Sequence, residues 1–479
     1  MMLRIVVLLC GFGLLAGCAH NPATGRTDFV MMSESQELQM GRSYSQQILK
    51  ENPRYADENL QAYVQQVGER VAKHSHRSNL QYHFTVVDSP DINAFALPGG
   101  YIYIHRGLLA YLNSEAELAA VLGHEVGHVT ARHSVQQQSQ ASAWGILGQA
   151  VAIGTGVGAA ADVTNALGAV VTKGYGRDME LEADGLGAQY LARSGYDPQA
   201  MIEVIKVLKN QELFARDQAL KRGQAVPESS YHGVFDSHPA NDQRLQQVIG
   251  PASALVAGRQ EVNREQFLQH LEGLPFGDSA ATGVRRGQQF YHADLGFTLS
   301  YPQGWELLNR ADALIAHATD QQAFMAMTVE PADSALTPEQ WLRKKIGGQR
   351  LVQDAVLQQG GLQGYTAIIP GAAAKRVAVI YLGPRAYVFI GAVKGRASLE
   401  TEDDKFMAMI NSFRPLSAAQ LALAQPLRLH LQQAKAGQGM AALAKESKLQ
   451  DEPELNLRLL NGLYPSGEPR PGDWLKILR

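Results

Sequence analysis

Ser114-Glu115-Ala116-Glu117-Leu118-Ala119-Ala120-Val121-Leu122-Gly123-His124-Glu125-Val126-Gly127-His128 is the stretch around which the rest of the chain is read. Ser114 followed three residues later by Glu117 is a capping box. The hydroxyl takes the Glu117 N–H and the carboxylate reaches back to the cap, so a helix starts here. Leu118, Val121, Leu122 and Val126 then form an apolar stripe at helical spacing, which predicts a largely buried helix. His124 and His128 are four apart and sit one turn apart on one face, so both rings can reach one ion. Glu125, one residue on, can touch a water held there. Two core histidines that merely share this spacing are the plainer reading. The complete HExxH pattern on a capped, buried helix favours a zinc-peptidase helix instead.

Catalytic zinc takes three protein ligands and keeps one open position, so HExxH needs a partner. Downstream, Glu180 and Asp184 are i, i+4 and share a helix face. Glu180 is the expected third ligand, and Asp184 is expected to orient a ligand histidine and set its tautomer. Glu182 points elsewhere and reads as a surface or salt-bridge residue. His133, five residues beyond His128, turns off the ligand face of a continuous helix and reads as structural.

These residues, HEVGHVTARH, Glu180-x-x-x-Asp184 and then Ser237-His238-Pro239 with Arg244, resemble the gluzincin family of the CAAX prenyl protease and HtpX, over about residues 35–250. The periplasmic β-barrel assembly-enhancing branch is nearer than the integral-membrane members, because no clear set of spanning helices flanks the motif. The resemblance implies a zincin-like, mostly helical peptidase domain with a small sheet. It implies one zinc ion on His124, His128 and Glu180, with Glu125 as the base and His238 and Arg244 bordering the cleft. Pro239 restricts the residue before it to an extended backbone, so His238 belongs to a loop. There it is expected either to donate to the oxyanion or to ligate zinc and latch the resting site. Polypeptide substrates of the envelope and a link to outer-membrane assembly are the implied partners. No TPR-type repeat array is visible, a departure from the barrel-assembly branch.

Before the metal helix, residues 82–87, 93–97 and 101–105 read as strands, with Pro98-Gly99-Gly100 as a turn. A peptidase holds its substrate extended against an exposed strand edge. Asn93, Ala94, Phe95 and Ala96 are assigned that role, an ordinary packed hairpin being the alternative. Residues 143–171, rich in Gly, Ala and Val, are long enough to cross a bilayer. Their glycines and Asp162 favour one or two short helices over the cleft, with membrane insertion left open.

At the other end, one basic residue, an apolar run over 5–15 and Leu15-Ala16-Gly17-Cys18 read as a bacterial secretion signal (residues 1–17) resembling a lipobox, with an ordinary signal peptide as the alternative. Cys18 would then carry a lipid and residues 18–34 would be a tether, placing the chain on the periplasmic side of the outer membrane. Of two cysteines, Cys10 would leave with the signal and no disulfide would remain. A net charge of −3, 45% hydrophobic and 19% charged residues describe an ordinary globular protein and give no argument for nucleic acid.

The expected fold class is α+β. The peptidase domain spans 35–260, an α+β antiparallel-sheet domain 285–416 and a small βααβ module 425–479. The segment Leu295-Gly-Phe-Thr-Leu-Ser-Tyr-Pro-Gln-Gly-Trp305 is similar to PsbP-like domains, which points to an interaction or regulatory module. The last part resembles a LysM module, which implies peptidoglycan as a partner, a structural cap being the alternative. An envelope scaffold or chaperone lipoprotein with little turnover is the rival to the peptidase reading.

Overall fold

The computed structural model describes residues 18–139, 175–221, 260–310, 312–395, 397–449 and 451–479, with the single positions 223, 247, 254 and 255. The expectations for residues 143–171, His238 and Arg244 lie outside these residues. Two compact units emerge: one of Met1–Leu49, Pro53–Phe276 and Leu427–Arg479, the other of Lys50–Asn52 and Gly277–Pro426.

The first unit begins with a hairpin, β1 (Cys18–His20) and β2 (Thr27–Phe29), where a tether was expected. Asn21 is the reason. Its Oδ1 accepts the Ala23 and Thr24 N–H groups, which shapes the turn, while its Nδ2 donates to Asp28 and to the Ala131 carbonyl. Gln136 also donates to Asp28, and the Met31 N–H donates to Ser139. The hairpin is therefore bound to the stretch just after the metal helix.

Helix α1 (Glu34–Glu51) opens on a reciprocal Ser33/Gln36 cap, and α2 (Glu58–Ala72) on Asp57, whose carboxylate accepts the Leu60 N–H. Strands β3 (His83–Val87), β4 (Ala94–Leu97) and β5 (Tyr101–His105) form a sheet of order β3-β5-β4, with β3 parallel and β4 antiparallel to β5. Gly99 and Gly100 turn the chain between β4 and β5 at φ of +78° and +92°, where a side chain would be strained. Alternation divides the sheet. Phe84, Val86, Ala94, Ala96, Ile102 and Ile104 join the main core, while Val87, Leu97 and Tyr103 pack with Tyr44 and Ile48 of α1.

Then come α3 (Arg106–Tyr111) and the metal helix α4 (Glu115–Thr130), every residue of which is buried. Ser114 Oγ accepts the Glu117 N–H as expected, but Glu117 Oε2 accepts from Asn113 N at 2.7 Å, one residue further out than a standard box. Helices α5 (Arg177–Arg193), α6 (Ala200–Lys221) and α7 (Arg264–His270) and the short strand β6 (Pro275–Phe276) follow.

The second unit is a pair of antiparallel sheets. Strands β7 (Val284–Arg286), β8 (Gln289–His292) and β9 (Phe297–Ser300) form one, closed by β17 (Arg414–Pro415). The other, ordered β10-β11-β12-β16-β15-β14-β13, uses β10 (Trp305–Asn309), β11 (Leu314–Ala318), β12 (Ala323–Pro331), β13 (Val352–Gln359), β14 (Leu362–Ile369), β15 (Lys375–Leu382) and β16 (Arg385–Val393). Helices α8 (Pro338–Lys345), capped by Thr337 and Gln340, and α9 (Leu399–Ser412) belong with it. Strand β13 escaped the sequence reading because it is an edge strand, mostly exposed, without an apolar alternation.

The chain then returns to the first unit as β18 (Leu427–Gln433), α10 (Met440–Glu446), α11 (Pro453–Leu460) and β19 (Trp474–Leu478), a β-α-α-β order. β18 pairs with β19 and, at its start, with β6. Leu429, Met440, Leu457, Leu460, Leu475 and Ile477 share one core with the peptidase helices. The fully buried Lys476 donates from Nζ to the carbonyls of Ala110 and Leu112, at 2.7 Å each. Arg264 bridges the Asn113 and Trp474 carbonyls. Residues just ahead of the metal helix are thus held from the C-terminal strand.

Candidate metal centre

The metal helix meets α5 at glycines. A Cβ on Gly127 would lie 2.8 Å from the Ala183 carbonyl oxygen, and one on Gly187 would lie 3.0 Å from the His124 nitrogen. The missing side chains let the backbones approach closely enough for short carboxylate side chains on α5 to reach the histidines.

His124, His128 and Glu180 converge, with one ligand atom of each within 4.8 Å of the others. The two Nε2 atoms face each other at 3.0 Å, and each is 3.5 Å from a Glu180 oxygen. Exposure is 6% for His124, 1% for His128 and nil for Glu180. Two imidazoles and a carboxylate, with a position left for water or substrate, are a donor set that suits zinc. Two fully buried carboxylates, Glu180 and Asp184, both lie against His124, and a divalent cation held there would supply the charge that offsets them.

Asp184 Oδ1 lies 2.8 Å from His124 Nδ1, where the carboxylate charge favours a proton on that nitrogen and leaves Nε2 for the side facing Glu180. Glu125 is buried at 2% exposure, beside the ligands on the same helix. Tyr175, immediately before α5, stacks on the His128 ring (centroids 3.9 Å apart, planes 19°) and its hydroxyl meets Ser134 Oγ at 2.6 Å. Burial raises the Tyr175 pKa, and the nearby Glu125 and Glu180 raise it further, so it stays a neutral phenol.

The sequence reading did not find Tyr175, and it set aside His133, whose Nδ1 lies 2.8 Å from His128 Nδ1. Glu182 is only 28% exposed at its side chain and turns toward His133, at 3.9 Å. The third histidine of HExxH-x-x-x-x-His was the available signal. Along an unbroken helix i+5 leaves the ligand face, but the helix ends at Thr130 and Arg132 turns the chain back.

Strand β4 lies at the edge of its sheet and packs on the metal helix. Ala94 and Ala96 face the core, while Phe95 stacks on Tyr103 and meets His105 edge-on. Asn93 accepts the His105 N–H at the head of the strand. Cys18 heads the N-terminal hairpin. Among the described residues no helix is long and apolar enough to cross a membrane.

The family model described as "Peptidase family M48" matches residues 58–252. "Beta-barrel assembly-enhancing protease" of Escherichia coli (strain K12) is 34% identical over 219 residues, 43% of this chain and 45% of that protein. The protein of the same name in Yersinia pestis is 33% identical over 244 residues, 49% of this chain and 47% of the other. "Mitochondrial metalloendopeptidase OMA1" of Arabidopsis thaliana is 38% identical over 135 residues, 28% and 27% of the two chains. The chain spans less than half the length of these relatives. A solution structure of cyanobacterial PsbP from Synechocystis sp. PCC 6803 aligns with 28% of this chain and 95% of its own at 13% identity, with a TM-score of 0.22. The chain carries a peptidase family M48 domain.

Proposed function

We propose that this chain, with its peptidase family M48 domain, is a zinc-dependent endopeptidase of a bacterial cell envelope that cleaves misfolded or stalled envelope proteins. The observation that carries the reading is the convergence of His124, His128 and Glu180 beside Glu125, in a buried site flanked by an edge strand. His124, His128 and Glu180 would hold the zinc, which would supply Lewis acidity toward the scissile carbonyl and lower the pKa of water to about 7.

The chain's own residues do the rest. An extended substrate adds to the edge of β4 through Asn93, Ala94, Phe95 and Ala96, which brings a peptide bond alongside α4. Glu125 takes a proton from the attacking water and passes it to the leaving amine. Asp184 keeps His124 in the tautomer and orientation its role requires. His238 is assigned the latch on the resting site, with hydrogen-bond donation to the oxyanion as its alternative role, and Arg244 borders the cleft beside it.

The envelope placement is supported by the signal-like start with Cys18 as lipid anchor and by relatives named for β-barrel assembly. The β-α-α-β order of residues 427–478 supports a LysM-like module and peptidoglycan as a further partner.

Glu125→Gln tests the mechanism. Zinc binding and fold are retained, while cleavage of a model polypeptide falls at least 100-fold, because an amide cannot accept the proton. Cleavage at the wild-type rate overturns the mechanism, and a wild-type protein that binds its clients without turnover makes the scaffold reading the better one. Cys18→Ser is expected to move the protein from the membrane fraction to the soluble one; retention on membranes refutes the lipid anchor.

A further inference from the structure

A helix that ran on unbroken from His128 would carry His133 to the wrong face. It does not run on. The metal helix ends at Thr130, Ala131 closes it, and Arg132 takes a left-handed conformation at φ +59° before helical residues 133–139. A non-glycine residue rarely adopts that conformation, because its Cβ crowds the following carbonyl oxygen. Here Arg132 is fixed in it: Nε donates to Glu37 at 2.9 Å and Nη2 to the Met32 carbonyl at 3.2 Å. Glu37 is itself buried and paired with Arg77. Strained backbone held this firmly beside a functional site points to a use.

The use is visible in where the turn sends the next residue. His133 is 1% exposed, and its Nδ1 lies 2.8 Å from Nδ1 of His128. His128 turns its other nitrogen, Nε2, to His124 and Glu180. A histidine that ligates through Nε2 bears its proton on Nδ1, so the hydrogen bond runs from His128 to His133. His133 must then present a bare Nδ1 and keep its own proton on Nε2, the atom that faces Glu182 Oε2 at 3.9 Å.

We propose that His133 is a positioning residue for the metal centre, fixing the tautomer and rotation of His128 as Asp184 fixes those of His124, with Glu182 behind it favouring the required tautomer. The inference rests on the proposed metal centre. It adds that the centre is supported on both histidines, by a carboxylate on one side and an imidazole acceptor on the other.

The test uses the full chain stripped of metal and reloaded with zinc against a chromophoric chelator, with Co²⁺ absorption as a second reading. His133→Phe keeps a flat ring but has no acceptor, and weakens zinc binding 10- to 100-fold, with a changed cobalt spectrum. His133→Asn places an amide oxygen near the position of Nδ1 and restores most of the affinity and the wild-type spectrum. Far-UV circular dichroism confirms the fold of each, and His133→Leu replaces the Phe variant if that one does not fold. Zinc binding by the acceptor-less variant as tight as wild type overturns the proposal. So does an Asn variant no better than Phe or Leu, since a space-filling role predicts no rescue. If wild-type protein itself binds no zinc, the metal centre falls and His133 with it. Intact wild-type binding with indifferent variants removes the His133 role alone.

Discussion

His105 closes strand β5 and links it to the edge strand, because its N–H donates to the Asn93 carbonyl. The residue is 5% exposed, neither ring nitrogen has a hydrogen-bond partner among the described residues, and the Asp91 carboxylate stands 3.8 Å from Nδ1. Burial lowers its pKa from 6.5 to about 4, with Asp91 pulling weakly the other way. Between about pH 6.5 and 4 the unfolded chain therefore binds a proton that the folded chain refuses. Stability rises with pH across this window, so acid removes it. At about 1.4 kcal/mol per pKa unit, the loss is about 2 kcal/mol at pH 5 and approaches about 3.4 kcal/mol below pH 4. His105→Leu keeps the volume, sacrifices no hydrogen bond and does not titrate. Urea unfolding of wild type and variant at about pH 7 and 5 isolates the effect as a double difference. His292, whose pKa burial also lowers to about 4, titrates in both proteins and cancels. The expected result is a variant that loses about 2 kcal/mol less than wild type on acidification. Equal losses would refute the argument and mean that water or a charge reaches the ring.

Gly127→Ala places a methyl 2.8 Å from the Ala183 carbonyl oxygen, so α4 and α5 must part. About 1–3 kcal/mol of stability is lost and zinc affinity falls with it, checked by thermal melts and chelator competition. Lys476→Ala strips the Ala110 and Leu112 carbonyls of their donor and leaves Arg264 as the basic neighbour of Glu117. It costs about 2–4 kcal/mol in urea unfolding, from two buried acceptors left unsatisfied, and destabilises the start of the metal helix, although the residue lies in the last strand. His238→Ala raises basal proteolysis, self-cleavage included, if the latch operates. Loss of activity with zinc retained, seen in turnover and metal content together, would leave only the oxyanion role.

What could be read without a structure was local. Histidines four apart share a helix face whatever the helix packs against, a Ser/Glu cap acts within one turn, and Gly99-Gly100 bend a strand through their own backbone freedom. The metal helix, the Glu180/Asp184 face and the strands beside them follow from such rules. The rest depends on encounters between distant residues, which periodicity does not encode. Asn21 binds the N-terminal hairpin to Ala131, 110 positions away, where the sequence suggested only a tether. Lys476 joins the last strand to residues 110 and 112, because a buried amine needs acceptors and the helix start has carbonyls to offer. Glu180 reaches His124 only because Gly127 and Gly187 let two backbones approach. His133 returns to His128 because Glu37 and Met32, from the N-terminal part of the chain, hold Arg132 in a conformation that its own preferences disfavour.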